Sequence, residues 1–371
     1  MSPSAEVLFK LLRIALGNEK DFSLPLSVNW KEVIDLSFEQ GVAAIAVDGL
    51  QRIYDGIESR ESKEGVESLE ALDSPELEDL KYEWFGEVMN CEQDCASKQS
   101  VALRFSKALA NKDIKPISLK GFSYASYYPV PSHRQSSDID LFLQDANEKG
   151  NQIAETLGAS VKRDHYEEKV ISMDGVTIEN HKYCIGIRGS RKASTFERHL
   201  ERMLDTNSLT LMPECGLWKP DATFNALYYI AHSVKHFCSE MLNVRQLMDW
   251  AVILKAEQEN IDWPEFYRWT DYMGYSRFAN TVTAIAIECF GVEVDTAKVY
   301  SDSTYKDRLL ADTFEPMALD AKSNSIWKNR YNLVMRKLCN GWKYHRILHK
   351  SVVGEVLQNV WGVLFERNPE L

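Results

Sequence analysis

Apolar positions in the first hundred residues recur with helical spacing. Val7, Leu8, Leu11, Leu12, Ala15 and Leu16 share one face of a helix predicted over about 4–16. The same periodicity runs through about 30–54 and about 76–109. Between these lies "DGIESRESKEGVESLEALDSPELEDL", acidic and poor in large apolar residues, which reads as a solvated loop or frayed helix. A functional acidic patch is the alternative reading.

The pattern changes between about 111 and 188. "IKPISLKG" is a short apolar run ending in glycine, and "SDIDLFLQ" alternates after its first residues. "EKVISMDGVTIENHKYCIGIR" reads as two strands joined by a tight turn at Asp174-Gly175. "DANEKGNQIAETLGA" reads as a helix ending at Gly158. Strand, crossover, strand, helix and hairpin predict a small α+β unit with a mixed sheet.

From about 192 onward helical spacing resumes. Asp221 is the expected N-cap of "DATFNALYYIAHSVKHFCSE", and Arg245 and Asp249 stand four apart, where a helix-surface ion pair forms. The expected organisation is a helical N-terminal region over 1–109 with its acidic insert at about 55–80. An α+β core over 110–190 and a helical C-terminal region over 191–371 follow.

Composition narrows the function classes. A net charge of −12 over 371 residues makes the surface a poor general attractor of nucleic acid. The seven scattered cysteines, "CEQDC" among them, fit reduced thiols better than a disulfide framework. No run approaches the roughly 18 apolar residues of a membrane span, and the N-terminus lacks a basic leader, so a cytoplasmic protein with no membrane partner is expected.

The chemistry concentrates in "RQSSDIDLFLQ". Asp138 and Asp140, two apart in a strand, share one face, while Ile139 and Leu141 share the other. Two like charges at that spacing repel, and a divalent cation is the first candidate to offset them. A third carboxylate must come from a neighbouring strand, and "VTIENHKY" offers Glu179.

The stretch "LKGFSYASYYPVPSHRQSSDIDLFL" resembles the signature of the uncharacterised nucleotidyltransferase family, a branch of the superfamily that includes DNA polymerase beta. The matching pieces are Lys120-Gly121, Tyr128-Pro129, Arg134 and Asp138-Ile139-Asp140; "IENHKY" and "IAHSVKHF…VRQLMDWAVIL" match further on. The resemblance is detailed over about 100–255. It implies a mixed sheet flanked by helices, with Asp138, Asp140 and Glu179 holding Mg2+, two ions being expected. It also implies transfer of a nucleoside monophosphate from an NTP to an acceptor hydroxyl; ATP is the expected donor. A protein hydroxyl, a small molecule and an RNA end remain open as acceptors, net acidity counting against the last. Nucleic acid is the less favoured acceptor. One metal would lower the pKa of the attacking hydroxyl while the other stabilises triphosphate charge, and Glu179 could take the acceptor's proton.

Several residues keep two readings each. Lys120 is a phosphate contact or a surface lysine at a strand end. Arg134 is a bidentate phosphate clamp or a partner of Asp138. Gly121 lets backbone approach phosphate, but Phe122 stands where the wider superfamily has a small residue, and Ser123 comes one place late. Ser123, Ser136 and Ser137 are phosphate donors or turn formers. His181 orients Glu179 or is an exposed strand residue. His232 and His236, with Lys235 between them, contact nucleotide or pack beneath the site; zinc is disfavoured for want of a third ligand. His345 and His349 are read as structural.

The segment 321–354 carries eight Lys or Arg and no acid. It reads as an amphipathic helix pair with aromatic core residues, or as an RNA contact. The rivals to an active enzyme are therefore a non-catalytic nucleotide-binding or regulatory module on the same fold, and an RNA-binding protein.

Overall fold

The computed structural model describes residues 1–58, 72, 75–162, 168–186, 190–206, 208–239 and 241–314. Towards the C-terminus it also describes 335, 338, 340–348 and 351–354. Most of the acidic insert, and residues 321–334 of the basic segment with Trp327 and Tyr331, lie outside the described residues, as does His349. Among the described residues, no helix is long and apolar enough to cross a membrane.

Helix α1 (Pro3–Ala15) starts where Ser2 caps the Ala5 N–H at 3.2 Å and Pro3 fits the first turn. The single helix expected over 30–54 is two, α2 (Trp30–Glu39) and α3 (Ala43–Glu58). The break is at Gly41, whose φ of +67° ends α2 in a motif closed by Val42 N–H to Ser37 C=O. Helix α4 (Pro75–Ala110) then leads into the sheet.

Seven strands form a mixed sheet, in the order β3-β4-β5-β2-β1-β7-β6 among the described residues. They are β1 (Ile117–Ser118), β2 (Ile139–Phe142), β3 (Ser160–Lys162), β4 (Glu168–Met173), β5 (Val176–His181), β6 (Thr210–Met212) and β7 (Leu217–Lys219). Between them run the short α5 (Phe122–Ala125), α6 (Asn147–Thr156) and α7 (Arg191–Thr206). The β4–β5 hairpin turns at Asp174-Gly175 as expected. Both residues have positive φ, matching the twist of a two-residue turn. The β6–β7 hairpin is a departure from the helical pattern expected past 191. Its β7 lies parallel to β1, and strands of three residues are too short to leave a period in the sequence.

The two faces of β2 meet different cores. Ile139 and Leu141 pack with Phe105, Ile171 and Ile178 on one side. Phe142 belongs to the larger core, shared with the helices that follow the sheet. Those helices are α8 (Ala222–Ser239), α9 (Val244–Glu257), α10 (Trp263–Met273), α11 (Ser276–Phe290) and α12 (Lys306–Phe314). Asp221 caps α8 as expected, accepting the Phe224 N–H at 2.8 Å. Helix α9 opens with a reciprocal capping box between Asn243 and Gln246. By strand alternation Asp140 shares the face of Phe142, so it looks towards the helical body rather than away from it. The result is an α+β fold with a mixed sheet and helical flanks.

Candidate active site

Strand pairing brings the acids together. β2 and β5 are parallel neighbours, and their register sets Asp140 directly opposite Glu179 and Phe142 opposite His181. Opposed residues in such a pair point the same way, so Asp140, Glu179 and His181 project from one face. One ligand atom from each lies within 4.8 Å of the other two. Asp138 lies just before β2, half-buried, outside this tight group but electrically part of it. Burial and the charges of Asp140 and Glu179 together push its carboxyl above the ordinary range.

Asp140 is the centre of the cluster. Its Oδ1 accepts from Lys120 Nζ at 3.0 Å and lies 3.0 Å from His181 Nε2. Its Oδ2 is equally buried and has no hydrogen-bond partner. Burial opposes charge on Asp140, but Lys120 and His181 overcome it and hold the carboxyl well below the usual range. Burial likewise opposes charge on His181, yet its bonds to Asp140 and Glu179 raise it to about 9. For Lys120, too, burial is outweighed, by Asp140 first and then Asp138. A buried carboxylate oxygen with no donor is costly. Here it stands beside two further acids, a donor set of the kind that hard divalent cations take. The residues therefore fit a divalent metal.

Above this face, α8 presents His232 and His236 with their Nε2 atoms 3.0 Å apart. His232 stacks on Tyr228, and burial, then Lys120 and His236, push it well below the usual histidine value, so it is neutral. The Tyr228 hydroxyl is buried without a hydrogen-bond partner and feels the Asp140 charge. Lys235 is exposed on the same helix.

Other expected contacts are arranged differently. Gly121, at φ +52°, makes the turn into α5, with no neighbour nearer than Asp138 O at 4.0 Å from an added Cβ. Ser123 is fully buried and its hydroxyl donates to Ser118 C=O at 2.8 Å. Of the two readings of Ser123, this bond is that of the turn former: the hydroxyl closes the strand-to-helix turn. Arg134 is buried and turns to a carboxylate other than Asp138. Its Nε and Nη2 fork onto Asp249 at 2.7 and 2.8 Å, where Tyr128 also donates at 2.8 Å. The surface pair expected between Arg245 and Asp249 gives way to this buried one, and Arg245 instead reaches the Gln135 carbonyl. Sequence reasoning missed Asp249 as a partner of the site loop. Its one signal was an acid on the inward face of an otherwise apolar helix.

The sequence profile described as Uncharacterised nucleotidyltransferase matches residues 27–291, from just before α2 to the end of α11. No curated protein and no solved structure matches the chain significantly. The match covers most of the chain, including the sheet, the acidic cluster and helices on both sides. The chain belongs to the uncharacterised nucleotidyltransferase family.

Proposed function

We propose that the chain is a Mg2+-dependent enzyme that moves a nucleoside monophosphate from an NTP, ATP first, to an acceptor hydroxyl on a protein or small molecule. The observation that carries this is the cross-strand pair Asp140–Glu179 with Asp140 Oδ2 buried and unpartnered. Asp140 and Glu179 would hold the metal, with Asp138 closing on it from the loop and His181 beside them. Ions held there would supply Lewis-acid neutralisation of triphosphate charge and make the acceptor hydroxyl more acidic.

This chain's own residues account for the rest. The acceptor oxygen forms a bond to the α-phosphorus, the bond from that phosphorus to the bridging oxygen breaks, and pyrophosphate leaves. Glu179, at the edge of the cluster, takes the acceptor's proton. Lys120, already at the acids, supplies positive charge to the phosphates, and Lys235 and His236 meet them from α8. His232, half-buried and stacked on Tyr228, supports His236.

The test is incubation with α-labelled and γ-labelled NTPs, Mg2+ or Mn2+ and a cell extract. Transfer of α-label, abolished in Asp140→Asn, supports the reading. NTP binding without transfer favours the non-catalytic module, and no NTP binding in either metal overturns both.

A further inference from the structure

Four consecutive residues ahead of Asp138 are each held by a side chain from a flanking helix. His133 lies between Asp48 on α3 at 2.9 Å and Glu92 on α4 at 3.2 Å. Arg134 is forked by Asp249 on α9. The Gln135 carbonyl accepts from Arg245, also on α9, and the Ser136 carbonyl accepts from Lys98 on α4. The Ser136 hydroxyl then donates to the Asp138 carbonyl at 2.7 Å, passing the restraint to the acid itself. Residues 135–138 carry no regular secondary structure, so these side chains take the place of ladder bonds.

We infer that residues 133–136 form a latch and that Asp249 is a positioning residue for the acidic cluster, fixing where Asp138 enters it. A buried ion pair can be exchanged for apolar residues with little loss of stability, so stability alone gives no reason for this one. What apolar contact cannot supply is direction. A two-point fork, with Tyr128 fixing the carboxylate from a third side, sets the orientation of the Arg134 backbone and hence of the loop. Helices α3, α4 and α9 are thereby tied to the loop that leads into Asp138.

The part of this that concerns metal rests on the proposed function; the part that concerns the loop does not. The test uses Arg134→Met/Asp249→Leu, which removes the fork without stranding a charge, beside Asp140→Asn. Two quantities are read: binding of Mn2+ alone by electron paramagnetic resonance, and metal-free exchange of the His133 and Arg134 amides, which donate to Val130 and Pro131 C=O. The double variant is expected to stay folded, to bind Mn2+ about tenfold more weakly or worse, and to exchange at least about tenfold faster at these two amides. Arg134→Lys, which cannot make the fork, is expected to give both effects. Unchanged exchange in the double variant overturns the latch, and faster exchange with Mn2+ affinity within about twofold of wild type overturns the positioning role. If Mn2+ binding is absent in wild type, or unchanged in Asp140→Asn, the metal reading fails while exchange still decides the latch. Should the double variant not fold, Lys98→Met puts the same two readouts on the α4 tether.

Discussion

Lys120 and His181 converge on one oxygen of Asp140 and leave the other, buried, without a donor. Two cationic side chains therefore balance Asp140 from one side only. Glu179, across the strand pair, and Asp138, from the loop, bring further negative charge to the same face. The unpartnered oxygen therefore leaves the cluster with ligand capacity to spare.

That asymmetry separates stability from activity. Asp140→Asn leaves Lys120 and His181 facing a neutral amide, with an expected loss of about 2–4 kcal/mol. Glu179→Gln removes a half-buried carboxylate at the edge, and the expected loss is under about 1 kcal/mol. Both substitutions are expected to lower label transfer at least about 100-fold, since several kcal/mol of transition-state stabilisation depend on the acids. Urea titrations beside transfer assays check this. An active Glu179→Gln would remove that residue from the chemistry.

A second prediction concerns His133, which joins α3 and α4 at the start of the site loop. The bond to Asp48 raises its pKa against the opposing effect of burial, with Glu92 adding to the rise. Because the folded value exceeds the unfolded one, the stability it contributes is fully present below about pH 6.5. It is lost as pH rises through the raised folded value. The contribution is of order 1 kcal/mol, screened on the exposed Glu92 side. Denaturation midpoints from pH 5.5 to 9 should fall more in wild type than in His133→Gln. Equal slopes would show that the histidine does not titrate against these acids.

The parts of the site legible in the sequence were those set by local pattern. Asp138-Ile139-Asp140 announced itself by alternation, and Asp174-Gly175 marked the hairpin whose second strand carries Glu179. What escaped was long-range pairing. Arg134 and Asp249 are 115 positions apart, and nothing in either neighbourhood names the other. Arg245, four from Asp249, offered a local partner that the fold declined. Ser123 escaped for a related reason: whether a serine faces a ligand or its own turn depends on which way the chain leaves β1.

Glu197 gives a third prediction. It accepts the backbone N–H groups of Cys184 and Ile185 at 2.6 and 2.8 Å, holding the chain just past β5 against α7. Burial nevertheless dominates and raises its carboxyl to about 7, with Glu201 adding repulsion. A raised acid binds its proton more tightly in the folded state. Stability should therefore fall as pH rises from about 4.5 towards about 7 and level off above, by up to about 3 kcal/mol. Glu197→Gln is expected to flatten this slope. A wild-type profile with no decline across that interval would overturn the assignment.

The last prediction concerns the described part of the basic segment. Lys343 is fully buried, 2.7 Å from Asp312 on α12 and 4.8 Å from the Phe237 ring centroid. Tyr344 is buried too and its hydroxyl donates to Cys238 C=O at 3.2 Å. Lys343 and Tyr344 thus serve packing, as the amphipathic reading expects, while Arg346 on the same segment is exposed. Burial pushes the Asp312 carboxyl up and the Lys343 ammonium down, so mutual attraction only partly offsets desolvation. Asp312→Asn strands the ammonium and should destabilise by about 3–5 kcal/mol. Asp312→Leu combined with Lys343→Met leaves no buried charge and should recover most of that loss. Chemical denaturation of the full chain measures both. If the double variant is no more stable than Asp312→Asn, the charges hold the C-terminal segment in a way that packing cannot replace.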